Sequence, residues 1–281
     1  NDGKLKWKYK VNKTKNKLLY PNFKKGSPWG GLSLDTKRGL LFFTTGNPEP
    51  WHVGIFREGD NLYANSLVAF DLNQKTIKWH FQEIPHDVWN YDLAAPPILT
   101  MIKRNDKNID AVVAVSKLGN VLIFDRASGV PLFDINYKLA PTSNIPGERT
   151  AAYQVNIKLP EKICRSEFKK EYLTEFDDEF KQTFISEIDN YNFGYPSPPQ
   201  LNKQTIQIGG CVRWAGSSID TKNNILYVSS DEYGAHLVNI SKHEEDLSYY
   251  HEWDSFVDNN GLPAIKPPWG SITALNLNSG K

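Results

Sequence analysis

Apolar and polar positions alternate in short runs that stop at Asp, Asn, Gly and Thr-Lys turns. That period points to strands rather than helices over most of the chain. Two segments repeat the pattern closely. WGGLSLDTKRGLLFFTTGN starts at Trp29 and WAGSSIDTKNNILYVSSDE at Trp214, 185 positions later; seven of their nineteen positions agree. Each reads as strand, polar turn, strand.

A second unit recurs beside the first. LVAFDLNQKTIKW (67–79) places Asp71 eight positions before Trp79, and VLIFDRASGVPLF (121–133) places Asp125 eight before Phe133. ITALNLNSGK (272–281) stops after Asn276 and before its aromatic, and NDGKLKW (1–7) begins inside the same unit. Each reads as a hairpin whose second strand ends in an aromatic. Repeated strand modules, each closed by an aromatic, predict an all-β fold, a β-propeller. About three modules are present, with the frame broken at both ends, so the chain reads as part of a ring. Its open ends are expected to expose strand edges and apolar faces, and such a piece alone is expected to be poorly stable.

One stretch breaks the strand pattern. Within an insertion over 139–208, Tyr172, Phe176, Phe180, Phe184 and Ile188 recur every fourth residue. This predicts an amphipathic helix lying on the propeller body, followed by an extended GYPSPPQ connection.

Composition narrows the function. Net charge is +1 with scattered lysines, which gives no electrostatic footprint for nucleic acid or an anionic membrane. No apolar run reaches membrane-spanning length, and no leader peptide is evident. Cys164 and Cys211 fit no zinc or redox spacing. Two free thiols are the simpler expectation, with a disulfide as the alternative in an oxidising compartment. Aromatics make up 12% of residues, with eight Trp.

Four features fall where strands hand over to loops. SPWGG (27–31) can present the Trp29 indole face to a flat ligand, though a packed core Trp would look the same. In TTGNPEPW (44–51), Asn47 can offer an amide oxygen to a hard cation, or simply make a turn. PHDVWNYDLAAPP (85–97) sets Asp87 and Asp92 beside Trp89 and Tyr91, where partial desolvation suits a general base. Lys117, between an apolar strand and a Gly turn, can hydrogen-bond an anionic or quinoid oxygen.

Taken in order and spacing, Trp-Gly, Thr-Gly-Asn-Pro, NSLVAFDLNQKTIKWHFQEIPHDVWNYD and Lys-x-Gly-Asn-x-x-x-x-Asp-Arg resemble the quinoprotein alcohol and glucose dehydrogenases, the membrane-bound glucose dehydrogenase type above all. The likeness is close over 26–135, looser over 205–235 and 267–281, and faint in the insertion. It implies an eight-bladed propeller, of which this chain is a partial ring. It also implies pyrroloquinoline quinone (PQQ) with Ca²⁺, or another divalent or lanthanide cation, on the axis. Trp29 then corresponds to the indole stacked on the quinone, Ser27 to a hydroxyl beside it, Asn47 to a metal ligand and Lys117 to the basic residue that touches the quinone oxygens. GGCVRWAGSSID resembles a further rim segment, with Trp214 and Arg213 at the cavity. The implied reaction oxidises a sugar, polyol or alcohol hydroxyl and passes electrons to ubiquinone or a cytochrome. The implied setting is periplasmic, with a membrane anchor outside this chain.

The departure is Asn90. The family's catalytic carboxylate directly follows the motif Trp, and here an amide occupies that position. An amide can ligate a metal but is no proton acceptor near neutral pH. Three readings follow: Asp92 supplies the carboxylate or a metal ligand; Asp87 does so from the other side; or the site binds PQQ and turns over poorly. A strand through this segment would point residues 90 and 92 the same way, favouring Asp92. The competing functions are a non-catalytic propeller scaffold and a propeller-borne metallohydrolase. The six histidines show no ligand spacing that would support the latter.

Overall fold

The turns foreseen from Asp and Asn are closed by one repeated contact. The side-chain oxygen of Asp71, Asp125, Asp220 and Asn276 each accepts backbone N–H groups two and three residues on, at 2.7–3.2 Å. The computed structural model describes residues 3–11, 26–104, 106–232, 234–243 and 249–281. Strands β1 (Leu32–Asp35), β2 (Leu40–Thr44), β3 (Ser66–Asp71) and β4 (Thr76–Gln82) form one antiparallel sheet in sequence order. Strands β5 (Ile98–Arg104), β6 (Lys107–Val115) and β7 (Val121–Asp125) form the second, where the expected fourth strand is reduced to a Phe124–Pro131 bridge. Residues 3–7, expected to start a hairpin, form no strand, although Trp7 still stacks on Phe70; Asn1 and Asp2 lie outside the described residues.

Next come a small pair, β8 (Tyr137–Leu139) with β9 (Tyr153–Val155), helix α1 (Asp178–Ser186), and strands β10 (Tyr191–Phe193) and β11 (Gln204–Ile208). The third module holds β12 (Ser217–Asp220) and β13 (Ile225–Asp231). The chain then leaves it for the hairpin β14 (Ala235–Lys242) and β15 (Tyr249–Ser255), and returns as β16 (Gly270–Asn276). Strand β16 pairs with β13, whereas β14 and β15 join β10 and β11 in an added four-stranded sheet.

Strand alternation explains the stacking of the modules. On β6, Val112 and Ala114 face the first sheet and pack with Leu40, Phe42, Leu67 and Ala69. Their neighbours Val113 and Val115 face the third and pack with Leu226, Val228 and Leu275. A strand buried on both faces must be apolar throughout, as AVVAV is. Among the described residues the fold is therefore a β-propeller arc of about three modules, with no closed ring. The far face of the third module is open: Ile272 is 80% exposed and Tyr227 44%.

The closing aromatics also have a physical reason. A Cβ on Gly129 would lie 2.7 Å from the Trp79 ring, and one on Gly280 2.9 Å from Phe133. Each aromatic thus seats on the bare glycine of the next module's turn, where φ is positive (76° and 78°) and glycine is favoured.

Two expectations need correction. Cys164 and Cys211 are disulfide-bonded, with Cα atoms 5.9 Å apart, because the insertion folds back until Cys164 covers the Gly119 turn. The aromatic stripe also outruns the helix. Only Asp178–Ser186 is α-helical, capped by Asp177 accepting from Phe180 N–H at 2.9 Å; Tyr172 and Ile188 sit in 3-10 turns, and Phe176 packs on Trp269 from a loop. The helix packs on the added sheet, through Phe180 and Phe184 against Phe168, Ile206 and Phe256, rather than on the repeated modules. Among the described residues no helix is long and apolar enough to cross a membrane.

Candidate active site

The 85–97 segment is an ordered loop with no strand in it, so the alternation argument for Asp92 over Asp87 does not apply. Hydrogen bonding separates the two. Asp87 is fully buried and organises the loop from beneath: its carboxylate accepts Trp89 N–H at 2.7 Å, Tyr91 N–H at 2.9 Å and the Asn65 side-chain amide at 2.9 Å. Burial raises its pKa, and these donors oppose the rise. Between them the chain swings through a left-handed Asn90 (φ 61°), a conformation that Asn tolerates better than most residues. Asp92 emerges on the other side.

There Asp92 meets the two other predicted residues. Its Oδ1 accepts Asn47 N–H at 2.8 Å and its Oδ2 lies 2.5 Å from Lys117 Nζ. Lys117 also donates to the Asn90 carbonyl at 3.1 Å. The turn bearing Lys117 is itself held: Glu83 Oε1 accepts from Ser116 Oγ and from Asn120 Nδ2, both at 2.7 Å. Burial pushes the Glu83 carboxyl up to about 7.

Trp29 closes the group. A Cβ on Gly46 would lie 2.6 Å from both Asp92 Oδ1 and Trp29 Nε1, so glycine there lets indole edge and carboxylate approach. Ser27 is exposed beside them, its carbonyl accepting from Gly46 N–H at 3.0 Å. The repeat-related Trp29 and Trp214 meet with ring centroids 6.2 Å apart, tilted by 54°. Pro96 wedges beneath their glycines: a Cβ on Gly31 would lie 2.7 Å from it and one on Gly216 3.1 Å.

These side chains border a cavity of about 300 Å³. Trp29, Asn90, Lys117, Arg213 and Trp214 contribute to the lining from outside the added sheet, and Gln207, His236 and Trp253 contribute from its strands; Trp51 and Trp89 add further ring surface. Asn47, Asp92 and Ser27 stand behind this lining, joined to it through Lys117 and Gly46. Among the described residues no Asp or Glu lines the cavity. Arg213 pairs with Asp231 at 3.2 Å. His52, buried edge-to-face against His251, is held neutral, its pKa driven down to about 3 chiefly by burial.

Gln207 and His236 escaped the sequence reading. They sit opposite one another on β11 and β14, strands far apart in sequence, and the alternation of QTIQI was the sole local sign that position 207 lies on a strand.

The donor set and shape fit a flat quinone. Indole faces, a lysine ammonium and a slot of this volume are the features such a ligand needs. For a hard cation the chain offers the Asp92 carboxylate and the amide oxygens of Asn47 and Asn90, which are suitable in kind. They supply part of a coordination shell, since no group of three His, Cys, Asp or Glu converges among the described residues.

Over 103 residues the chain is 39% identical to a quinoprotein alcohol dehydrogenase of Pseudomonas putida, covering 37% of this chain and 17% of that one. Over 314 residues it is 24% identical to quinoprotein glucose dehydrogenase A of Acinetobacter calcoaceticus, covering 99% and 39% respectively. A quinate/shikimate dehydrogenase (quinone) of Acinetobacter baylyi is also 24% identical, over 98% of this chain and 38% of its own. The chain thus spans well under half the length of these relatives. The crystal structure of the Comamonas testosteroni quinohemoprotein alcohol dehydrogenase superposes with a TM-score of 0.53 at 18% identity, over 89% of this chain and 33% of that one. A europium-containing methanol dehydrogenase gives 0.54 at 16%, over 92% and 38%; at such identities the likeness speaks for the fold. Residues 1–281 match the PQQ glucose/ethanol/alcohol dehydrogenase β-propeller domain family, and the chain belongs to that family of PQQ-dependent dehydrogenases.

Proposed function

We propose that the protein containing this chain oxidises a sugar, polyol or alcohol hydroxyl with PQQ held in the cavity between Trp29 and Lys117. The observation that supports it most is the linked set Asn47–Asp92–Lys117, with contacts of 2.8 and 2.5 Å, behind a cavity faced by Trp29. Trp29 offers a ring face to a planar ligand. Lys117 donates to an oxygen on which negative charge develops, and its own position is fixed by Asp92 and the Asn90 carbonyl, so little reorganisation is needed. Asn47, Asp92 and Asn90 supply oxygens to a cation, Ca²⁺ or a lanthanide. Bound there, the quinone is the two-electron acceptor and the cation a Lewis acid for it. Asp92, the carboxylate tied to Lys117, takes the substrate proton in place of the amide at 90.

Reconstitution of the full-length protein with PQQ and Ca²⁺, followed by dye-linked oxidation of glucose, tests this reading. Micromolar PQQ binding and turnover are expected, with Asp92→Ala cutting kcat about 10²–10⁴-fold. Failure to bind PQQ at that level would overturn it.

A second reading, a weakly active propeller scaffold, draws on the amide at 90 and on a cavity lining without a carboxylate. An Asn90→Asp variant separates the two. If activity rises steeply, the amide is the handicap and Asp92 is not the base; if it stays level, Asp92 carries the role.

A further inference from the structure

One wall of the cavity is built by elements outside the repeated modules. Gln207 on β11 and His236 on β14 are directly opposed in register, and Trp253 on β15 opposes Val238, two residues beyond His236. Residues two apart on a strand share a face, so these three side chains stand on the same side of the added sheet, and all three line the cavity. His236 and Trp253 touch edge to face, with centroids 4.9 Å apart.

Two polar atoms of this wall have no partner. Gln207 is 7% exposed, yet its Nε2 makes no hydrogen bond, nor does the buried His236 Nδ1. A buried amide or imidazole nitrogen left unpaired costs about 1–3 kcal/mol, so such atoms on side chains that line a cavity call for a ligand that satisfies them. The wall is also neutral. Burial, reinforced by Arg213 and Lys117, lowers the His236 pKa, and a neutral imidazole both donates and accepts. The cations that share the cavity are matched already, Lys117 by Asp92 and Arg213 by Asp231.

We propose that Gln207, His236 and Trp253 form the specificity-determining subsite, which recognises a neutral polyhydroxylated ring: the ring lies against the Trp253 indole, and hydroxyls meet the amide and the imidazole. Hydroxyl groups donate and accept, as these partners require, and an indole beside them covers the apolar face of the ring. As a statement about turnover this rests on the dehydrogenase reading above; as a statement about binding it does not.

The test uses the full-length protein with D-glucose and cyclohexanol, rings of equal size with many hydroxyls and one. Binding is read from tryptophan fluorescence without cofactor, and turnover from the PQQ-loaded enzyme. Gln207→Leu and His236→Leu are each expected to weaken glucose affinity about tenfold and to lower the glucose-to-cyclohexanol ratio of kcat/KM by the same factor. PQQ titration of each variant reports whether the cofactor pocket survives, and Gln207→Asn, which keeps the amide donor on a shorter arm, is expected to recover part of the ratio. If both leucine variants keep wild-type glucose affinity and ratio, the proposal is overturned. If glucose binds through these residues but no variant or parent oxidises it, the subsite stands and the dehydrogenase reading falls.

Discussion

The two sides of the cavity are built on opposite terms. On the side made by the repeated modules, the polar groups are already engaged: Asp92 holds Lys117 and the Asn47 N–H, and Asp87 pins the loop that carries Asn90. On the side made by the added sheet, Gln207 Nε2 and His236 Nδ1 are left open. Groups that stabilise charge during a reaction gain from being fixed in advance, whereas groups that choose a ligand must keep hydrogen-bonding capacity unspent until it arrives. On the proposed reading, the contrast puts chemistry on the repeated modules and selection on the added sheet.

The comparison breaks most sharply at Lys117. Lys117→Ala is expected to lower kcat about 10³-fold while preserving the glucose-to-cyclohexanol ratio; a collapse of that ratio in steady-state kinetics would mean the two sides are not separate. A smaller effect is expected from Cys164→Ser combined with Cys211→Ser. This bond ties the insertion to the segment leading to Arg213 and Trp214, and its removal is expected to cost about 3 kcal/mol in denaturant unfolding. Weaker glucose selection should accompany that loss if the added sheet needs the tether.

The smallest effect lies beneath the Lys117 turn. Glu83 titrates near 7 in the folded protein against its usual 4.5. Between those values the unfolded chain holds fewer protons than the folded one, so stability falls as pH rises. The contribution is complete below 4.5 and gone above 7. Glu83→Gln is expected to flatten that slope without changing selection.

Much of the repeated side was legible in the chain itself. Trp29, Asn47 and Lys117 stand at turns whose chemistry is local, and Asp71, Asp125 and Asn276 announce the Asx contacts that end each hairpin. The added side was not legible, because Gln207 and His236 become neighbours only through the pairing of β11 with β14. The four-residue aromatic stripe misled for a related reason. Phe176 and Tyr172 satisfy its period, but their contacts, Trp269 and the Arg165 guanidinium, come from elsewhere in the chain, and the backbone between them is not helical. Cys164 and Cys211 show the same limit: a spacing of 47 carries no information about a Cα separation of 5.9 Å.

The detour from β13 to β16 closes on itself, since Asp231 and Gly270, at its two ends, are paired across those strands. A segment whose ends coincide can be lengthened, shortened or exchanged while its host strands keep their register. The hairpin β14–β15 is therefore a natural cassette: if the proposed subsite holds, grafting the corresponding stretch of a relative between these two positions is expected to retune which substrates are accepted, leaving the reacting end of the pocket in place.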